Sequence, residues 1–355
     1  MPRILAIITF ILFSLIGIAA LLKNKNPTTS QTDPLPVEIT LEWETNAPSP
    51  IQSLPDPVVK LTPAPKEQLK EIAKETPKEI QEKPSDDDLP YAERIDEFFN
   101  TRDPRFPFVK TITYKSRVSW QHGRPAWIAD YASHYRTSRH FIARSLNGKA
   151  EYEKQDVGNG DRFNILDPDT ELTFHLVIDT SRSKLWFYVE DQTRHQLTLV
   201  KVYEVGLGRP DLSKKSGSLT PHGTFALGDQ VAIYKKETKG NYQGITIEMI
   251  RVFGTRWIPF TKLMHAKLAT HEESTHEIAE SPKGYGIHGA PWKEDPDTHQ
   301  MIECAECIGK HESDGCIRLL SSDIEELFSI IISRPTVIEI VADFKESQLY
   351  QREKS

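Results

Sequence analysis

Hydrophobic and polar positions divide the chain into stretches of different character. Residues 4–22 are an unbroken run of apolar and small side chains between Arg3 and the pair Lys23 and Lys25. As a helix this run would span about 28 Å, at roughly 1.5 Å per residue, close to the hydrocarbon thickness of a bilayer. It has no polar face, so the pattern predicts a transmembrane anchor over residues 1–25. Ala19 and Ala20 continue into Leu21, Leu22 and Lys23 and not into a small-x-small cleavage site, which favours an uncleaved anchor. Residues 26–90 are rich in Pro, Thr, Ser, Glu and Lys and nearly free of aromatic side chains. Such a stretch buries too little apolar surface to offset its ordering entropy, and a disordered, partly extended linker is expected there.

Periodic patterning resumes near Tyr91. Ile128, Tyr131, Ala132 and Tyr135 recur at i, i+3, i+4 and i+7, one face of a helix. Ser138 is placed to cap a second helix carrying Phe141, Ile142 and Leu146, ended by Asn147-Gly148. Residues 162–165 read as a closing strand, giving a strand–helix–helix–strand unit between about Val118 and Leu166, inside a module bounded at 91–170. From Leu172 onward the pattern shortens. Residues 174–179, 184–189, 197–205 and 336–341 are β-branched and aromatic runs separated by turn residues, which predicts a mainly β domain over 171–345. One helix interrupts it. Ser322 and Glu325 have capping-box spacing, Ile324, Leu327, Phe328 and Ile331 make one apolar face, and Pro335 prevents continuation. Residues 346–355 read as a polar tail.

A length of 355 residues leaves room for two ordinary domains beside the anchor and linker. The net charge of −7 offers no basic face for nucleic acid, and points to a neutral or mixed-charge partner. The three cysteines, Cys304, Cys307 and Cys316, fall in one short stretch, too few and too local for a disulfide scaffold, and at least one is expected to be free.

The chemistry concentrates in that stretch. Gly286-Ile-His-Gly289 precedes Ser313-Asp-Gly-Cys-Ile-Arg318. A thiol is a poor nucleophile until ionised, and a nearby imidazole such as His288 can take its proton. Gly315 permits a tight turn in which backbone amides near Gly315 and Cys316 could cradle an oxyanion. These residues resemble the active-site signature of YkuD-type L,D-transpeptidases. The resemblance continues through Val177-Ile-Asp179, Lys184-Leu-Trp-Phe-Tyr188, Val205-Gly-Leu-Gly208 and Thr220-Pro-His-Gly-Thr-Phe225, and into the helix after the cysteine. It implies a β-sandwich or barrel with one helix after Cys316. It also implies Cys316 as nucleophile and His288 as base, with Gly315, Ser313, Arg318 and Gly289 holding the oxyanion, the substrate or the loop. No metal or organic cofactor is implied.

The same resemblance implies peptidoglycan as partner, with the domain exported to the periplasmic side of the cytoplasmic membrane. The expected reaction joins two diaminopimelate residues through a cysteine thioester. Water as acceptor would give an L,D-carboxypeptidase, and loss of catalysis a wall-binding tether. The run from Trp127 through Leu146-Asn-Gly148 and Val157-Gly-Asn-Gly-Asp161 to Ile165 resembles a degenerate LysM module, implying glycan contact. Two features depart from the transpeptidase pattern. Asp314 stands where a histidine is usual, and residues 290–307 are an insertion containing Trp292 and Cys304-Ala-Glu-Cys307. The insertion is expected to form a lid. Its cysteines could form a disulfide, stay free, or bind zinc with His299 and His311.

Overall fold

Apolar alternation builds two adjoining cores in the computed structural model, which describes residues 85–115, 126–147, 156–262 and 284–354. The smaller is formed by strand β1 (Val109–Thr113), strand β2 (Ala126–Trp127), helices α1 (Ile128–His134) and α2 (Arg139–Asn147), strand β3 (Asp156–Val157) and strand β4 (Arg162–Leu166). Ile128, Ala132, Ile142, Val157, Phe163 and Ile165 fill it. β2 pairs with β3 around the two helices, whereas β4 pairs with β1, Phe163 opposite Ile112. The closing strand thus takes a partner further upstream than the sequence pattern suggested. Ser138 caps α2 as expected: its Oγ accepts the Phe141 N–H at 3.0 Å and donates to the Ser329 carbonyl of the larger body.

The larger body runs through β5 (Leu172–Asp179), β6 (Lys184–Asp191), β7 (Gln196–Glu204), β8 (Leu207–Gly208), β9 (Gly223–Leu227), β10 (Ala232–Ile233), β11 (Lys239–Tyr242), β12 (Ile245–Glu248), α3 (Ile250–Phe253) and β13 (Arg256–Lys262). It continues with β14 (Gly286–Gly289), β15 (Trp292–Glu294), β16 (Met301–Glu303), β17 (His311–Ser313), β18 (Ile317–Leu319), α4 (Ser321–Ile331), β19 (Thr336–Val341) and α5 (Gln348–Lys354). Its principal sheet has the order β18-β14-β13-β9-β19-β5-β6-β7, with β10 added beside β13. The pairs β14–β18 and β19–β5 are parallel and the others antiparallel. The body is mainly β, and the helix expected after Cys316 is α4.

β5 is buried along its whole length because both faces of the sheet are covered there. On one face Phe174, Leu176, Leu185 and Phe187 join Leu327 and Phe328 of α4, and Phe98, Phe106, Phe108 and Phe141 from upstream complete the same core. On the other, Val177, Trp186 and Tyr188 receive Phe344 and Leu349. The expected polar tail is therefore a short helix, α5, whose Leu349 is buried: without it the apolar rings of Trp186 and Tyr188 would meet water. The expected linker likewise ends earlier than residue 90. Asp86 pairs with Arg182 and Lys184, and the Trp186 indole N–H donates to the Pro90 carbonyl at 2.9 Å.

The cap of α4 also differs from expectation. Ser322 lies inside the first turn, and Leu320, at the N-cap, offers no side-chain acceptor. Glu303 serves instead, its carboxylate accepting from the Ser321 N–H at 2.6 Å and the Ser321 hydroxyl at 2.7 Å. No helix among the described residues is long and apolar enough to cross a membrane, and the apolar run 4–22 lies outside them.

Candidate active site

The register of two neighbouring strands assembles the site. β14 and β18 run parallel with Ile287 beside Ile317 and His288 beside Arg318. Directly paired residues of a sheet share a face, so His288 and Arg318 point the same way. Two residues back along both chains, on the same face, the register brings Cys316 beside Gly286. Trp257 of β13, paired with His288 from the other side, adds its ring at 5.9 Å, and Phe253 meets the imidazole edge-on at 5.4 Å.

His288 is only 3% exposed. Its Nδ1 lies 2.7 Å from the Gly289 carbonyl. A carbonyl only accepts, so Nδ1 carries the proton and Nε2 is left as the basic nitrogen. Burial pushes the imidazole down to about 4; the Gly289 and Phe253 carbonyls oppose that shift and the Arg318 charge adds to it. Gly289, expected to position oxyanion or substrate, meets His288 through its carbonyl.

Cys316 follows a turn that only glycine allows. Gly315 has φ +115°, and a Cβ there would meet the Tyr285 ring at 2.4 Å and the Leu219 carbonyl at 2.6 Å. The Gly315 N–H donates to Ser313 Oγ at 3.1 Å, and that hydroxyl donates to the Cys316 carbonyl at 2.6 Å. Ser313 is buried and braces the loop. The Gly315 amide, expected to face an oxyanion, is engaged by Ser313 here. Thr220 closes the turn from behind, donating to the Gly315 carbonyl at 3.1 Å and accepting the Gly208 N–H at 2.7 Å. Thr220 stood in the quoted sequence pattern without an assigned role.

The Cys316 thiol lies 3.5 Å from the Gly284 carbonyl, to which it donates. Burial pushes it up to about 11; the Gly286 backbone and Arg318 oppose that shift, and Asp314 adds to it. At pH 7 the resting pair is therefore neutral thiol and neutral imidazole. Arg318 exchanges both backbone hydrogen bonds with Gly206, at 2.8 and 2.9 Å. Its Nε is buried without a hydrogen-bond partner, and its side chain makes no ion pair among the described residues.

Asp314, at the rim, pairs with Arg209. The insertion forms the hairpin β15–β16 followed by a Cys304–Cys307 disulfide. Joined sulfurs offer no thiolates to zinc, and His299 and His311 instead meet Glu294 and Ser183. The segment expected to be a lid is fastened. Glu303 holds α4, the Trp292 indole donates to Ser321 Oγ at 3.3 Å, and Trp292 joins the apolar cluster of Phe253 and Trp257, the two rings that meet His288. A separate cavity of about 330 Å³, lined by Thr180, Ser181, Ser218, His222 and His311, includes neither His288 nor Cys316.

Residues 173–340 match the family model described as YkuD, L,D-transpeptidase catalytic domain. The match runs from β5 to β19 and encloses His288 and Cys316. These residues thus resemble a cysteine-dependent catalytic domain of that family. No curated protein matches the chain. Among solved structures it is similar to the helical cell shape determining protein Pgp2 from Campylobacter jejuni, at 16% identity over 49% of each chain and a TM-score of 0.29. A point mutant of that protein is similar at 15% identity over 49% of this chain and 48% of its own, also at a TM-score of 0.29. The chain spans about half the length of these structures.

Proposed function

We propose, from the YkuD-type catalytic domain at residues 173–340, that the protein is a membrane-anchored peptidoglycan L,D-transpeptidase. The observation that carries this reading is the strand register, which sets His288 beside Arg318, two residues on from Cys316. As the sulfur attacks the carbonyl on the L-centre of diaminopimelate in a tetrapeptide stem, His288 Nε2 takes its proton. The tetrahedral intermediate collapses by breaking the C–N bond to D-alanine. His288 returns the proton to the departing amine, leaving a thioester. An acceptor stem's side-chain amine then attacks the thioester; the C–S bond breaks, an amide forms and Cys316 recovers its proton.

With Gly315 engaged by Ser313, the Cys316 amide is the oxyanion donor in this scheme, and Arg318 holds negative charge of the substrate or of the tetrahedral oxygen. Neutral resting groups suit such a mechanism: the thiolate forms only when a bound carbonyl is ready to take it, which limits side reactions of a free thiolate. The apolar run 4–22 would anchor the enzyme in the cytoplasmic membrane with everything after it outside. The strand–helix–helix–strand module, in the position where LysM-like residues were noted, would contact glycan.

Muropeptides incubated with the full-length protein test the reading by mass spectrometry. Cys316→Ala should form no thioester and no cross-linked product, while the Cys304→Ala, Cys307→Ala double variant should keep both. Thioester formation in Cys316→Ala would sink the mechanism. Release of tripeptide without any cross-linked dimer would replace transfer by hydrolysis, and no thioester in the wild type would leave only binding.

A further inference from the structure

The pair formed by Arg209 and Asp314 is built into the nucleophile turn. Asp314 is two residues before Cys316, so its Cα lies within about 7 Å of the cysteine's. Arg209 is rooted on the same turn by its backbone: its N–H donates to the Ser313 carbonyl at 2.9 Å, and its carbonyl accepts the Leu219 N–H at 2.9 Å. The two side chains then meet above the turn, 60% and 68% exposed. Among the described residues neither makes another ion pair. An ion pair this exposed contributes next to nothing to stability, and exchanging its partners for a ligand's charges costs correspondingly little. Asp314 also reaches the site electrostatically, since its charge opposes ionisation of the Cys316 thiol and the Tyr242 phenol.

The proposed donor carries complementary charges at a matching distance. Its attacked carbonyl belongs to the L-centre of diaminopimelate. Three methylenes away, on the order of 5 Å, the same residue ends in a carbon bearing both an ammonium and a carboxylate. Adjacent opposite charges on the protein suit that end and no simpler one. A lysine side chain brings only the ammonium, and an amidated diaminopimelate only lacks the carboxylate. A histidine in place of Asp314 would offer no anion.

We infer that Arg209 and Asp314 form a zwitterion subsite at the lip of the nucleophile turn, Asp314 receiving the ammonium and Arg209 the carboxylate at the side-chain end of the donor diaminopimelate. The inference rests on the transpeptidase reading of the same site and adds to it two specificity-determining residues. Binding forms and breaks no covalent bond. The Arg209–Asp314 contact opens, and each partner transfers to the opposite charge of the ligand.

The test compares the rate of thioester formation on Cys316 of the full-length protein with three disaccharide-tetrapeptides. They carry free diaminopimelate, diaminopimelate amidated at its side-chain carboxylate, or lysine. Charge-assisted contacts of this kind are worth about tenfold each. Arg209→Gln should slow the free substrate about tenfold and leave the amidated and lysine substrates unchanged, with Arg209→Lys restoring part of the loss. Asp314→Asn should slow all three, because each keeps the ammonium. An unchanged melting temperature in every variant would accompany this pattern. Equal slowing of all substrates by Arg209→Gln, or no slowing of any, would overturn the subsite while leaving the transpeptidase reading intact. A wild-type protein that acylates none of the three would overturn both.

Discussion

The two ends of the principal sheet are made differently. At one end β5, β6 and β7 have 8, 8 and 9 residues, and β5 and β6 are covered on both faces by large apolar side chains. At the other, β14 and β18 have 4 and 3 residues, and glycines, His288 and Arg318 take most of their positions. The long end supplies burial and the short end supplies geometry. Stability and reactivity can therefore be perturbed separately, which the following variants exploit.

The largest effect is expected at the long end. Phe187 is fully buried between the Phe98 and Phe174 rings. Phe187→Ala should lower unfolding free energy by about 3–5 kcal/mol. Urea titration measures the loss, while protein that remains folded should acylate at the wild-type rate; a matching fall in rate would show that the two ends are not separable.

The short end is exposed to acid. The folded His288 value, about 4, lies below its ordinary 6.5, so the unfolded chain binds the proton first as pH falls. Stability from this group is present above about 6.5 and is lost as pH drops toward 4, a loss of about 3 kcal/mol. Buried His140, also held down, adds to the same trend. His288→Asn should lose less stability than wild type between pH 7 and pH 4.5 in paired urea titrations, and an equal loss would place the acid sensitivity elsewhere.

The smallest effect sits where the insertion joins the body. Glu303→Gln weakens the cap on α4 and should cost about 1 kcal/mol, read as a lower urea midpoint. The balance of cross-linked and hydrolysed product should stay as in wild type. A shift toward hydrolysis would restore the lid reading of the insertion.

How much of this the sequence revealed follows the same division. The runs that became β5, β6, β7 and β19 were legible because β-branched and aromatic residues dominate them. The apolar face of α4 was legible for a similar reason, Ile324, Leu327, Phe328 and Ile331 recurring at helical spacing. Its cap was not, because Glu303 reaches Ser321 through folding and across 18 positions. Strands of three or four residues, such as β17 and β18, carry too few alternations to announce themselves, and only the motif around Cys316 marked their place. The Arg209–Asp314 pair spans 105 positions, beyond any local pattern. Thr220 was visible as part of a sequence pattern, but its hold on Gly315 is a matter of three-dimensional closure. The helix α5 looked like a tail because one apolar residue, Leu349, and one aromatic, Tyr350, do not make a period.

The attachment of residues 86–90 has a mechanical consequence. Any pull arriving along the chain from its N-terminal side enters the body at Asp86, through Arg182 and Lys184, and at Pro90, through the Trp186 indole. That load falls on the β5–β6 hairpin, where it is shared among hydrogen bonds running the length of two eight-residue strands. In the order of the sheet, β19, β9 and β13 stand between this grip and the two strands that hold His288 and Arg318. A leash fixed there can be drawn taut while the machinery at the far edge stays slack.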